Sequence, residues 1–339
     1  MKTTDFAHSL SAYLSMYLPG QRGLSENTIM AYRDTFKLVL HFAEKEKNLC
    51  AEKMTLADFN SEFITEFVTW LEKIRGCSVA TCNQRLATLR AFAKYARGMY
   101  PEFLHESQKI MDTKAKKKVS SVIPYLSADG IKHLLAQPNR EKKYGRRDLV
   151  LLSLMYDSAA RVQEICDLKV RDVRLEKPFT VTLTGKGRKT RFVPLMSSTG
   201  GLIAEYFKEN NLHRAEKHDD PLFCNHQQGK LTRAGVAYIL NKYFELARKD
   251  CGNLPPKISP HMLRHSKAMH LLQAGVNIVY IRDFLGHVNV STTEVYAKCD
   301  TEMKRNVLEQ ASVEIDSALP EWTNDKDLMS MLIGLCGKG

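Results

Sequence analysis

A chain of 339 residues is long enough for two ordinary domains, each with its own core. Its formal charge of +12 and pI near 9.2 favour a polyanionic partner, nucleic acid ahead of an anionic membrane surface. No apolar run reaches the roughly 18 residues of a spanning helix, and Met1-Lys2-Thr3-Thr4-Asp5 does not open into a signal peptide, so the expectation is a cytoplasmic protein with no membrane partner.

Eight cysteines are scattered between Cys50 and Cys336 with no Cys-x-x-Cys pair, the pattern of reduced thiols. Gly185-Lys186-Gly187 is too short to be a Walker loop, so no nucleotide cofactor is implied.

Residues 4–108 carry the periodicity of a small helical domain. Phe6, Leu10, Leu14 and Leu18 form a first stripe, which Pro19-Gly20 should end. Ser25 is placed to cap a long helix bearing Ile29, Tyr32, Phe36, Val39 and Phe42. Phe63, Phe67 and Leu71 mark a third helix, and Leu86, Leu89 and Phe92 a fourth that starts at Ser78. The polar start of that fourth helix offers Thr81, Asn83 and Arg85 to a nucleic acid; a solvated face is the equal alternative. Residues 109–124 read as a linker with a basic cluster, Lys114, Lys116, Lys117 and Lys118. Such a run is either simply solvated or laid along a phosphate backbone.

A second domain should begin near Tyr125-Leu126-Ser127 and run to residue 315. An apolar helix from Asp148 to Ser158 leads into Arg161 and Glu164, one turn apart, with Ile165 and Leu168 on the buried side. Residues 179–184 alternate with period two, residues 185–189 turn, and residues 190–195 return as a second strand. Four of the six residues from Lys186 to Arg191 are basic, and Arg188 and Lys189 join Lys186 as phosphate candidates. Further helices follow, one opened by Thr232 and Arg233, a helix start that suits a phosphate.

The densest chemistry lies between His261 and Tyr296. Ser259 and Pro260 start a helix on which His261, Arg264 and His265 share one face. Gly275 stops it. A second helix containing Ile278, Ile281 and Leu285 closes at Gly286, next to His287, and Ser291-Thr-Thr-Glu294 opens a third that carries Tyr296. His261 and His265 have the spacing of zinc ligands, but the metalloprotease motif needs Glu where Met262 stands, and no third ligand is evident; no metal is expected. His265, His270 and Tyr280 read as scaffold. The apolar tail, residues 316–339 with Trp322, Leu328, Met329, Leu332 and Leu335, should pack on its own domain or on a neighbouring subunit.

In this order, Arg-x-x-Glu, a Gly-Lys-Gly hairpin before Val-Pro-Leu, His-x-Leu-Arg-His, Leu-Gly-His and a Tyr nine residues later, the motifs resemble those of the tyrosine recombinases, the phage-integrase-type site-specific recombinases. The resemblance spans nearly the whole chain. It implies a mostly α protein: a helical core-binding domain (1–108) and an α-rich catalytic domain (125–315) with a small antiparallel β-hairpin or sheet, closing as a C-shaped clamp on DNA. The implied catalytic set is Arg161, Lys186, His261, Arg264, His287 and Tyr296, with Glu164 in support. Ala159 is a departure, since the family often has Gly two residues before the first Arg.

These residue types suit attack on a phosphodiester. Two guanidiniums clamp the non-bridging oxygens and offset transition-state charge. The Tyr296 phenol attacks phosphorus, giving a 3′-phosphotyrosyl linkage and a free 5′-hydroxyl. His261 serves as base or phosphate donor, His287 adds a hydrogen bond, and Lys186 protonates the leaving oxygen, a form of help worth roughly 10²–10⁴-fold. The linkage keeps the bond energy, so neither ATP nor a metal cofactor is required.

Helical periodicity from residue 4 leaves no room for an N-terminal arm-binding domain, and the 63 residues between Leu195 and Ser259 show no large insertion. The layout resembles two-domain Xer-like or transposon-encoded recombinases. The implied partners are double-stranded recombination sites, further copies in a tetramer joined through the C-terminal tail, and for some members a partner recombinase. Integration or excision of a mobile element is the expected role. A monomeric type IB topoisomerase-like enzyme and a non-catalytic DNA-binding relative are the alternatives.

Overall fold

The computed structural model describes residues 3–117, 124–185, 187, 189–252 and 254–286, together with Thr293, Asp327, Ser330, Met331, Ile333 and Gly334. The chain divides into two compact units, Met1–Ser121 and Val122–Gly339. No helix among the described residues is long and apolar enough to cross a membrane.

The first unit is helical. Helix α1 (Asp5–Ala12) starts on Thr4, whose hydroxyl accepts from the Ala7 N–H. It runs on into a π-helical stretch, Tyr13–Gln21, with Pro19 inside it. The expected stop at Pro19-Gly20 is therefore not observed. In an α-helix a proline removes one hydrogen bond and strikes a carbonyl one turn back, and the wider π turn relieves that clash. Helices α2 (Glu26–Lys47), α3 (Ser61–Lys73), α4 (Val79–Met99) and α5 (Leu104–Asp112) complete the unit. Ser25 heads α2 in extended conformation, but its hydroxyl pairs with the Thr28 hydroxyl at 2.9 Å and caps no backbone N–H.

The core of this unit is aromatic. Phe92 of α4 packs against Phe36, Phe59 and Phe6 with ring centroids 5.0, 5.3 and 5.7 Å away, all steeply tilted as ring quadrupoles prefer. Helix α5 carries buried Ile110 and ends at Asp112, so four residues of the span read as linker are helical. Beyond it, the Asn83 side chain donates to the Lys116 carbonyl and accepts from its N–H, and the Lys116 ammonium meets Glu72.

In the second unit, α6 (Ala128–Ala136) is capped by Ser127 and α7 (Lys143–Asp157) is buried along most of its length. Arg147 and Asp148 form a buried ion pair on it, and Asp148 also accepts from the Tyr243 hydroxyl. Helix α8 (Val162–Asp167) leads into a three-stranded antiparallel sheet, β1 (Val173–Arg174), β2 (Thr180–Thr184) and β3 (Thr190–Pro194), in the order β1-β2-β3. The hairpin was legible as alternation; β1 has only two residues, too few to show a period. Helices α9 (Ser197–Glu209), α10 (Arg233–Asp250), α11 (Pro260–Gln273) and α12 (Ile278–Leu285) follow. Val181, Leu183 and Val193 of the sheet share one core with α6–α10. A smaller cluster, Ala268, Met269, Leu272, Ile281 and Leu285, seats α12 on α11 and includes Ala159.

One packing expectation is corrected. Tyr280 is 71% exposed on α12 and does not belong to the scaffold. The buried face of this short helix is set by Ile281 and Leu285, four apart, which leaves Tyr280 on another face.

Candidate active site

The centre of the site is Glu164, whose side chain is only 3% exposed. Its carboxylate receives the Arg161 backbone N–H and one Arg161 guanidinium nitrogen, each at 2.8 Å. The first contact arises from the start of α8: Arg161 is the N-cap, and Glu164, three residues on, reaches back to it. Two nitrogens of Arg191 bind the two carboxylate oxygens at 2.9 and 2.8 Å. Burial by itself raises the Glu164 pKa; the Arg191 and Arg161 hydrogen bonds and the Arg191 charge overcome it and bring the carboxyl down to about 2.

Arg161 also donates to the Gly286 carbonyl at 3.2 Å, with its side chain 34% exposed. Arg264, buried on α11, donates to the Ala159 carbonyl at 2.7 Å and to the Leu285 carbonyl at 2.5 Å. Two of the sequence-selected arginines, separated by a hundred residues of chain, thus meet on adjacent carbonyls at the end of α12. Gly286 closes that helix at φ +63°, in the left-handed region, and an added Cβ there would lie 3.1 Å from Arg191 Cδ.

Ala159 explains the departure noted in the sequence. It sits at φ +47° and is fully buried, a backbone conformation that glycine adopts without cost. Arg264 binds the carbonyl of this strained residue.

His261 lies on α11 one turn before Arg264. Its surface is partly exposed, but partial desolvation of the ring, then the Arg264 and Arg161 charges, push its pKa below the usual histidine value. His265 is driven further, to about 4, by burial and then by His261 and Arg264. The two rings are 6.3 Å apart. Both imidazoles are neutral near pH 7, so His261 is in the state that accepts a proton.

The hairpin reaches this cluster through Gly185. A Cβ on Gly185 would lie 3.0 Å from a Glu164 oxygen and 3.5 Å from an Arg161 nitrogen, so only glycine brings the backbone this close. Lys186, Arg188, His287 and Tyr296 lie outside the described residues, as do Lys118 and the capping box at Ser291.

Sequence reasoning missed the role of Arg191, counting it among the basic residues at the hairpin tip. Its side chain is 12% exposed and closes the site from the strand side, also donating to the Phe284 carbonyl at 3.1 Å. Strand alternation carried the signal, because Arg191 is two residues from buried Val193 and faces the same way.

The remaining DNA-binding candidates are dispersed. Asn83 and Lys116 bind each other, Thr81 pairs its hydroxyl with Ser78 at 3.0 Å, and Arg85 donates to the Thr35 hydroxyl at 3.3 Å. Thr232 caps α10 by accepting from Gly235, with Arg233 exposed beside it. Lys114, Lys117 and Lys189 are exposed.

Comparison with known proteins agrees with this geometry. Residues 124–303 match the phage integrase family, and residues 10–98 match the phage integrase N-terminal SAM-like domain. The chain is 32% identical over 313 residues to a protein of Sinorhizobium fredii described as an integrase/recombinase, covering 92% of this chain and 93% of that one. It is 30% identical over 287 residues to the tyrosine recombinase XerC of Thermodesulfovibrio yellowstonii, covering 83% and 88%. In fold it is similar to the XerH site-specific recombinase bound to difH substrate (TM-score 0.63, 22% identity, 86% of this chain and 81% of that one) and to the Tn1549 transposon integrase in complex with transposon right end DNA (TM-score 0.67, 16% identity, 88% and 98%). The chain belongs to the phage integrase family: it is a tyrosine recombinase, an enzyme that breaks and rejoins DNA strands.

Proposed function

We propose that Arg161, Arg264, His261, Lys186, His287 and Tyr296 form the active site of a site-specific recombinase acting in the cytoplasm on double-stranded recombination sites. The observation that carries this reading is the meeting of Arg161 and Arg264 on the carbonyls of Gly286 and Leu285, directly before His287 in the chain.

Arg161 and Arg191 share one carboxylate, Glu164, which leaves a positive charge in excess for an anionic phosphodiester, while Arg264 is held on the Ala159 and Leu285 carbonyls beside them. Fixed by carbonyls and by Glu164, the guanidiniums cannot turn away when charge develops on the non-bridging oxygens, and such preorganisation is the main source of transition-state stabilisation. Tyr296 attacks phosphorus; its Oη–P bond forms as the bond from phosphorus to the 5′ oxygen breaks. Neutral His261 takes the phenolic proton, and Lys186 on the hairpin gives a proton to the departing 5′ oxygen. Attack by a 5′-hydroxyl from another strand reverses both transfers and restores a phosphodiester.

In this reading both units bind the duplex, and residues 316–339 dock on the next copy in a tetramer. Integration or excision of a mobile element is the role proposed, supported by the similarity to the Sinorhizobium protein along almost its whole length. Xer-type dimer resolution is the second reading, supported by the XerC relative.

A duplex site nicked near the cleavage point loses its short 5′-hydroxyl fragment after attack and traps the covalent complex. The wild-type chain is expected to give a slow-migrating DNA adduct on denaturing gels, and Tyr296→Phe none. Arg161→Ala and Arg264→Ala should lower the yield by at least about 100-fold with little change in DNA affinity. An adduct from Tyr296→Phe, or undiminished yields from both arginine variants, would overturn the assignment.

A further inference from the structure

We propose that Asp129, His133 and Cys251 form a binding site for a soft divalent cation, zinc foremost, on the second unit. None of the three belongs to the candidate active site.

Asp129 and His133 are four apart on α6 and so share one face. An exposed Asp–His pair at this spacing is by itself an ordinary surface ion pair. Cys251 is what sets this one apart. It lies 118 residues from His133 in sequence, at the C-cap of α10, where its extended backbone follows the last helical turn. The His133 nitrogen, an Asp129 oxygen and the Cys251 sulfur all lie within 4.8 Å of one another.

The spacing suits one ion. Two ligands each about 2.0–2.1 Å from a tetrahedral zinc are about 3.4 Å apart. The Asp129 Oδ2 to His133 Nε2 distance is 3.4 Å. A zinc–sulfur bond is longer, about 2.3 Å, and would set the thiol about 3.6 Å from the other two donors, inside the 4.8 Å that encloses all three atoms. Carboxylate, imidazole and thiolate are all zinc donors, and thiolate selects against magnesium and calcium. Three protein ligands leave one position for water.

The frame around the three donors is fixed by other contacts. Gln137, just past the end of α6, donates to the Asp250 carboxylate at 2.9 Å, beside Cys251. A Cβ on Gly130 would lie 2.9 Å from Leu254 Cδ2, so the chain leaving α10 is packed close on α6. The ion therefore has little backbone ordering to do. Its consequence is structural: it ties α6 to the end of α10, and zinc at about 100 times its Kd raises the folded-to-unfolded ratio about 100-fold.

Cobalt(II) chloride titrated into the reduced full-length chain tests the site directly, because a thiolate ligand gives an intense charge-transfer absorption that water and carboxylate do not. The band is expected to saturate at a single equivalent and to be displaced by zinc chloride. Cys251→Ser should abolish it, His133→Asn should weaken cobalt binding by at least about tenfold, and Cys50→Ser, at an exposed thiol elsewhere, should leave it unchanged. All four chains are first checked for an unaltered circular dichroism spectrum. The proposal is overturned if the folded wild type gives no band, if the band survives Cys251→Ser, or if His133→Asn binds cobalt as tightly as wild type.

Discussion

Replacing Arg191 by methionine keeps an apolar stem in β3 and removes the guanidinium that closes the site. Two of its nitrogens hold Glu164 at 2.9 and 2.8 Å and a third holds the Phe284 carbonyl at 3.1 Å. Removing one partner of a buried ion pair costs about 3–5 kcal/mol. Glu164 keeps its two contacts from Arg161, which places the expected loss at the lower end, about 3 kcal/mol. Proton linkage gives a net figure of the same size. The Glu164 pKa falls from 4.5 to about 2, and at about 1.4 kcal/mol per pH unit the contacts, net of the opposing burial, contribute roughly 3 kcal/mol. Because the folded-state pKa is depressed, this stabilisation is fully present above pH 4.5 and disappears as pH falls toward 2. In Arg191→Met the carboxyl titrates nearer its unfolded value, so the stability lost between pH 4.5 and 2 shrinks. Urea denaturation at pH 7 and at steps from pH 5 down to about pH 2, on wild type, Arg191→Met, Glu164→Gln and the double variant, measures both effects. Coupling between the two positions should exceed about 1 kcal/mol. A loss below about 1 kcal/mol at pH 7 together with an unmoved acid profile would refute the reasoning.

Three further outcomes are expected. Ala159→Gly removes the left-handed strain at φ +47° and, after the greater chain entropy of glycine, should raise stability by up to about 1 kcal/mol in the same denaturation assay. Lys267 pairs with buried Asp157 at 3.1 Å, and the second oxygen of that carboxylate holds the Met196 N–H at 2.7 Å; Lys267→Met should cost about 3 kcal/mol, read by chemical denaturation, by leaving the carboxylate uncompensated. His265, with its pKa lowered from 6.5 to about 4, is protonated more readily when unfolded. Stability should therefore fall as pH drops from 6.5 toward 4, and His265→Asn should flatten the pH dependence of the melting temperature across that window.

Much of the fold could be read from the residues. Ser78, Thr232 and Ser259 each cap the helix expected of them, because a hydroxyl ahead of an apolar period has a definite local partner. The β2–β3 hairpin was equally plain from its alternation. Pairing of Glu164 with Arg161 was visible in their spacing, but the second arginine on that carboxylate came from a strand 27 residues away, and no local rule connects them. The helical continuation through Pro19 and the strain at Ala159 were equally hidden, since both depend on backbone geometry that tertiary packing imposes. Tyr280 was misread because an apolar helix of eight residues still exposes part of its circumference. Asp129, His133 and Cys251 meet only because α6 packs near the end of α10, and no motif spans that gap.

The most direct test of the proposed mechanism is the identity of the tyrosine that joins DNA. Tyr280, 71% exposed on α12, is the natural competitor, sixteen residues before Tyr296. The covalent complex trapped on a nicked site is digested with protease and nuclease, and the nucleotide-bearing peptide is sequenced by mass spectrometry. A 3′-phosphate linked to Tyr296, unchanged in a Tyr280→Phe chain, is the expected result. A linkage to Tyr280 or to any other residue would contradict it.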